Sequence, residues 1–206
     1  ATGRKVHILC YNCASAARLE GLCRRTLESR KKAATEMLRR VMRYYPISPE
    51  LVVRCATGSA AVYKQHIMHA LMDAGFADSI FGEVFDRLFN KENGVAVAAV
   101  EYPDVRDVLA QVHEAGGIAV LAHPYVYDST DLMQQLVKEE LLDGIEVHHP
   151  SHDEARRTAL TDFAKEHHLL MTGGSDFHGM YGKGARSVGS TVIDDDAAAA
   201  LMKFKR

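Results

Sequence analysis

The sequence predicts an α/β fold: a parallel sheet closed into a barrel and interrupted by a helical subdomain. Three observations carry the prediction. Strand-like and helix-like segments alternate from residue 95 onward, residues 15–92 read as helical without a strand signal, and three apolar strand segments run into histidine-bearing loops. Helices alternating with strands buried on both faces are the pattern of a parallel sheet. Ligand-type residues after several different strands favour closure, because in a barrel all those ends open on one rim.

Taken in order, residues 6–11 read as a short strand, which needs a sheet partner. Residues 16–45 read as helix, with Leu19, Leu22, Cys23, Leu27, Met37, Leu38, Val41 and Met42 at helical spacing. Tyr45-Pro46 stops it. Ser48-Pro49-Glu50 is an N-cap followed by proline in the first turn. Residues 60–73 and 78–89 give two more helices, separated at Gly75, and Arg24, Arg25, Arg30, Lys31 and Lys32 read as a solvated helix face. Then come a strand at 95–100, a helix at 104–115 ended by Gly116-Gly117, and a strand at 118–122. A helix at 132–142, a strand at 144–147, a helix at 152–167 and strands at 169–172 and 187–193 precede a last helix at 194–204. The division expected is a main fold of residues 1–13 and 93–206, with 14–92 inserted as a helical cap.

Composition narrows the function. The 206 residues, 47% hydrophobic, suffice for a real core. A net charge of -2 gives no basic excess, hence no extended nucleic-acid surface. The longest apolar runs, 95–100 and 117–122, are too short to span a bilayer, and the first residues lack a signal-peptide pattern. Of four cysteines only Cys10 and Cys13 are close, so a zinc knuckle lacks its second pair. Reduced thiols and a cytoplasmic location are the expectation.

Histidine is concentrated where chemistry would sit. The strand at 118–122 ends in His123-Pro124, and that at 144–147 in His148-His149-Pro150-Ser151-His152. The strand at 169–172 leads through Gly173-Gly174-Ser175 to Asp176-Phe177-His178-Gly179. Parallel strands point their C-terminal ends the same way, so these residues converge. Imidazoles with a carboxylate suit Zn, Mn or Fe, and Asp176 and His178, two apart, point the same way on an extended segment. One strand-end histidine is commonly structural; three such ends argue for metal-assisted hydrolysis. Gly173 and Gly174 let the backbone approach the site closely. One of His148 and His149 faces the rim and the other the helical layer. Glu146 is either a partner of a ligating imidazole or an outward ion-pair group. His69 and His113 read as exposed helix residues, and His167 and His168 close a helix. Lys183 and Arg186 read as a phosphate clamp or as loop charges, Tyr125 and Tyr127 as pocket or core edge.

Ala122-His123-Pro124, Glu146-Val147 leading to Pro150-Ser151-His152, and Gly174-Ser175-Asp176-Phe177-His178-Gly179 resemble the later motifs of the polymerase-and-histidinol-phosphatase (PHP) family. Val6-His7-Ile8-Leu9-Cys10-Tyr11 resembles that family's strand with a metal-binding histidine. Tyr63-Lys64-Gln65-His66-Ile67 resembles the insert of its nucleotide-phosphatase branch. The resemblance runs in order along nearly the whole chain. It implies the C-terminal part of a distorted (β/α)7 barrel holding up to three divalent ions, Mn, Zn, Fe or Mg. His7 and His123 would ligate one ion, Asp176 another and His178 a further one, with Asp176 and His178 at the catalytic centre. His66, Lys64 and His152 would meet the substrate phosphate. Lys64-Gln65-His66 stands where that branch carries Arg-Pro-His, and lysine lacks arginine's bidentate fork. The family's opening His-x-His segment is not found. The resemblance therefore implies a chain that starts after it, with that segment as a partner, weak metal loading and little activity alone.

The implied reaction is hydrolysis of a phosphomonoester of a small nucleotide, such as a nucleoside monophosphate or 3′,5′-bisphosphate, by a metal-bound hydroxide. The alternatives are an amidohydrolase-type barrel acting on C–N bonds, a nuclease working from polymer ends, and a non-catalytic binding or regulatory module that has lost its first metal ligands.

Overall fold

The computed structural model describes residues 5–184 and 186–205. In chain order, β1 (Ile8–Tyr11) leads through a 3-10 turn at Ala16–Leu19 into α1 (Glu20–Val41), α2 (Pro49–Cys55), α3 (Lys64–Asp73) and α4 (Glu83–Phe89). Then follow α5 (Val105–Glu114), β2 (Ile118–Leu121), α6 (Thr130–Lys138), β3 (Gly144–His148), α7 (Glu154–Glu166), β4 (Leu170–Gly173), a 3-10 turn at Gly179–Tyr181 and α8 (Asp195–Lys203). Two compact units result: one takes the chain up to Glu20 and from Pro103 on, the other is Gly21–Tyr102. Among the described residues no helix is long and apolar enough to cross a membrane.

The first unit is built on a four-stranded sheet in the order β1-β2-β3-β4. β2, β3 and β4 are parallel, as the alternation predicts, but β1 runs antiparallel to β2, from Ile8 opposite Leu121 to Tyr11 opposite Ile118. The reason lies at the far end of that pair. The turn after β1 docks on the end of α5: the Ser15 N–H donates to the Ala115 carbonyl at 3.0 Å and Arg18 to the Glu114 carbonyl at 2.9 Å. The chain thus enters β2 at the edge where it left β1, whereas a parallel pair needs a crossover back to the opposite edge. The ladder extends one step beyond the strands, with the Ala122 N–H donating to the His7 carbonyl at 3.0 Å.

Two expected strands are absent, each for a local reason. In 95–100 the Val95 and Ala96 N–H groups donate to the Arg87 and Leu88 carbonyls. Those carbonyls belong to the last turn of α4, which has no partner for them within the helix. Segment 187–193 instead turns at Ser187–Ser190 with Gly189 at φ 77°, and Val188 and Val192 are exposed.

The core of the first unit joins Leu109 and Val112 of α5, Leu121 of β2, Leu132 and Leu136 of α6, Ile145 and Val147 of β3, and Leu160 of α7. Each such side chain, fully buried, contributes about 1.5–3 kcal/mol. All of β2 is buried, as a strand covered on both faces should be. His113 is not the exposed residue expected. Its Nε2 lies 3.1 Å from the buried Asp143 carboxylate, which also accepts the Ala119 N–H at 2.8 Å, so that carboxylate ties the end of α5 to β2. In the second unit Val41, Val52, Ile67, Met68, Leu71 and Leu88 are fully buried, and Ser48 caps α2 by accepting the Leu51 N–H.

At Gly144 the sheet is too tight for a side chain. A Cβ there would lie 2.7 Å from the Leu170 carbonyl oxygen and 2.9 Å from its Cβ, with Val120 on the other side. Gly144→Ala is expected to destabilise the protein by about 1–3 kcal/mol, read as a lower urea midpoint at unchanged slope.

Candidate metal centre at the strand ends

Four histidine rings and a carboxylate gather where β2, β3 and β4 end and β1 begins. The antiparallel β1 makes this possible, because its first residues lie beside the last of β2. The His7 ring centroid is 5.0 Å from that of His123, edge-on, and the Tyr127 hydroxyl lies 3.4 Å from His7 Nε2. His149 stands 5.1 Å from His123 and 5.3 Å from His152, again by centroid. Asp176, beyond β4, places Oδ2 3.5 Å from His149 Nε2. His123 and Asp176 both adopt positive φ, 28° and 48°, a left-handed backbone that costs a non-glycine residue about 1 kcal/mol or more.

The hydrogen bonds fix which nitrogens carry hydrogen. His152 Nδ1 lies 2.9 Å from the Val147 carbonyl, and His178 Nδ1 2.8 Å from the Asp176 carbonyl. A carbonyl only accepts, so in both rings Nδ1 is the donor and, in the neutral ring, Nε2 holds the lone pair. His149 is the reverse. Its Nδ1 accepts the Ser151 N–H at 3.1 Å, so the hydrogen is on Nε2, turned toward Asp176. Burial disfavours the charged form of three rings: it depresses His123, His152 and His149, the last to about 4 despite the nearby Asp176 charge.

Glu146, one of the two roles weighed for it, accepts the His123 N–H at 2.8 Å and so holds the turn that presents that ring. Burial pushes its carboxyl up to about 7; the His123 N–H opposes this and the Asp176 charge adds to it. Arg186 crosses the rim, donating to Asp176 Oδ2 at 3.1 Å and to the Ser151 hydroxyl at 3.2 Å.

Three buried imidazole nitrogens, His123 Nδ1, His149 Nε2 and His152 Nε2, have no hydrogen-bond partner among the described residues. An unsatisfied buried polar atom costs about 1–3 kcal/mol. A cation removes that cost at the nitrogens that carry lone pairs. Neutral imidazoles beside a carboxylate are the donor set of Zn, Mn or Fe, so the residues present fit such an ion. Among the described residues no three ligand-type atoms at the rim lie within 4.8 Å of one another, whereas donors around one bound ion lie about 3.4 Å apart. Loading therefore requires them to draw together.

The rim thus unites His7, His123, His152 and Asp176. His178 is attached to it through the Asp176 carbonyl, with its side chain 57% exposed. Lys64 and His66 lie in the other unit. There burial lowers both groups' proton affinity, Lys64 donates to the Phe89 carbonyl, and His66 Nδ1 accepts the Tyr63 N–H at the start of α3. His149 and Arg186 were legible only as alternatives. A register shift between Glu146 and His148 in the β3–β4 pairing decides which histidine turns inward, and alternation along a strand does not reveal it. Gly173 serves strand packing rather than approach to an ion: a Cβ there would lie 2.5 Å from the His148 Cβ and 2.6 Å from its carbonyl oxygen.

No family model matches the chain. A phosphoribosyl 1,2-cyclic phosphate 1,2-diphosphodiesterase of Eggerthella lenta is 38% identical over 183 residues, 88% of this chain and 69% of that protein. The chain belongs to the PHP phosphoesterase family. Membership makes it an enzyme of the hydrolase class. Two further relatives match over shorter stretches. The 5′-3′ exoribonuclease Rnm of Escherichia coli is 32% identical over 61% of this chain and 43% of its own length. A 3′,5′-nucleoside bisphosphate phosphatase of Chromobacterium violaceum is 37% identical over 44% of this chain and 33% of its own. Among solved structures, a Bifidobacterium adolescentis protein assigned as a metal-dependent phosphoesterase superposes with a TM-score of 0.81 at 26% identity, covering 96% of this PHP chain and 70% of its own.

The raised Glu146 carboxyl has a signed consequence for metal-free protein. A carboxyl whose folded pKa lies above its unfolded value makes stability fall as pH rises between the two. Relative to Glu146→Gln, which keeps an acceptor for His123, the wild type is expected to lose stability from about pH 4.5 to 7, on the order of 3 kcal/mol in all. Urea unfolding in chelator at several pH values measures it; a difference that stays flat would show that burial does not hold this proton.

Proposed function

We propose that the chain forms the metal-binding part of a distorted (β/α)7-barrel phosphoesterase that hydrolyses a phosphomonoester of a small nucleotide. The observation that carries this reading is the group of buried imidazoles beside Asp176, whose charged form burial disfavours, with His123 Nδ1 and His152 Nε2 lacking a hydrogen-bond partner among the described residues. His7, His123, His152, Asp176 and His178 would hold divalent ions drawn from Mn, Zn, Fe and Mg. Such ions supply charge neutralisation at the phosphate oxygens and a water of lowered pKa.

The chain's own groups supply the rest. Asp176 contributes the negative charge of the site. His149, with hydrogen on Nε2, turns that nitrogen toward the carboxylate at 3.5 Å and offers no lone pair to an ion there. Glu146 fixes the His123 turn. Arg186 carries a planar fork that matches phosphate as well as it matches Asp176, and the Ser151 hydroxyl keeps it at the rim. Phosphate contact by Lys64 and His66 from an inserted cap of residues 14–92 rests on the family resemblance. The relatives act, by their names, on a phosphoribosyl cyclic phosphate and a nucleoside bisphosphate, which share a phosphorylated ribose. Likeness to the Escherichia coli exoribonuclease supports a second reading, removal of nucleotides from an RNA 5′ end.

A substrate panel separates the readings. Adenosine 3′,5′-bisphosphate, AMP, a short 5′-phosphorylated oligoribonucleotide and a cyclic amide are each incubated with the chain and Mn2+ or Zn2+. Phosphate release from the mononucleotides is expected. Asp176→Asn and His152→Ala should each weaken metal affinity by at least about 10–100-fold, the loss seen even for groups that only support a ligand, and lower kcat/KM at least as much. Release of mononucleotides from the oligomer alone would favour the exonuclease. Cleavage of the amide alone, or unaltered metal affinity in both variants, would overturn the proposal.

A further inference from the structure

The second unit carries a cluster that the phosphoesterase reading does not use. His69 and Asp73 lie four residues apart on α3 and so share one face of the helix. Cys55, the last residue of α2, meets them: its Sγ is 3.7 Å from Asp73 Oδ2, and His69 Nε2 is 3.6 Å from Asp73 Oδ1. The three ligand-type atoms all lie within 4.8 Å of one another, which no other set of three His, Cys, Asp or Glu groups achieves among the described residues. We propose that Cys55, His69 and Asp73 form a separate site for a thiophilic divalent ion, Zn2+ above all, distinct from the rim of the first unit.

Geometry and ligand chemistry both favour this assignment. Zn–N and Zn–O bonds near 2.1 Å and Zn–S bonds near 2.3 Å give a tetrahedron with edges of about 3.3–3.8 Å. The thiol and the imidazole each lie at that distance from the Asp73 carboxylate, one at Oδ2 and the other at Oδ1, and the set of one atom from each residue spans no more than 4.8 Å. A small rotation of three flexible side chains closes the remaining gap. A thiol, an imidazole and a carboxylate select zinc or cobalt over magnesium and manganese. The site is partly open to solvent, which leaves the fourth position to water. Arg54, with Nη2 3.7 Å from Asp73 Oδ2 and a side chain 72% exposed, is the positive charge now beside the carboxylate, and it is free to swing into solvent. On binding, the Cys55 S–H bond breaks, its proton goes to solvent, and the sulfur electron pair forms the bond to the ion. The bound ion would tie the C-terminal end of α2 to α3, whose packing is central to that unit.

Cobalt titration of the full chain tests this, because a thiolate–Co2+ bond gives a near-ultraviolet charge-transfer band that imidazole and carboxylate ligands do not. A band that saturates at one ion per chain, is displaced by Zn2+, and accompanies protection of Cys55 from iodoacetamide is expected. Cys55→Ser should abolish the band. His69→Ala and Asp73→Asn should weaken binding by at least about tenfold, and His152→Ala should leave the band unchanged. Should Cys55→Ser fail to fold by circular dichroism, peptide mapping of alkylated wild type decides. Absence of the band, its survival in a folded Cys55→Ser variant, binding indifferent to both His69→Ala and Asp73→Asn, or Cys55 alkylated equally with and without ion overturns the proposal.

Discussion

The reversal of a single strand makes the rim. Had β1 run parallel to β2, His7 would lie at the opposite edge of the sheet from His123. The antiparallel pairing, carried one bond further by the Ala122 N–H and the His7 carbonyl, places the two rings edge to edge. What enforces the reversal is remote from the rim: the turn after β1 is pinned to the end of α5 by Ser15 and Arg18, which returns the chain to the edge it left. The chemistry of one edge is thus set by hydrogen bonds at the other.

Around that pairing the interior acts on charge. Burial disfavours the charged form of the imidazoles of His123, His149 and His152, and the tautomers of His149 and His152 each follow from one backbone contact. The same burial acts on Glu146 with opposite effect, favouring a carboxyl that keeps its proton. Arg186 and Asp176 are paired at the rim.

Much of this was legible in the sequence. The parallel run of β2, β3 and β4, the histidines at their exits and the Asp-x-His loop followed from alternation and from apolar segments ending in ligand-type residues. The orientation of β1 was not, because strand direction depends on where the intervening segment returns, and some hundred residues intervene between β1 and β2. Nor was the choice of His149 over His148, since an irregularity in pairing breaks the two-residue period on which such inference relies. The apparent strand at 95–100 shows a further limit: a β-prone run instead satisfies the carbonyls of the preceding helix.

His123 and Asp176 hold a left-handed backbone that glycine adopts at the least cost. This sets a trade-off between durability and chemistry. A screen for thermal resistance, blind to turnover, would find some of its cheapest gains by relaxing these two turns, and each gain would remove a side chain proposed to hold an ion. Selection on activity must therefore keep acting at both positions for the strained turns to persist.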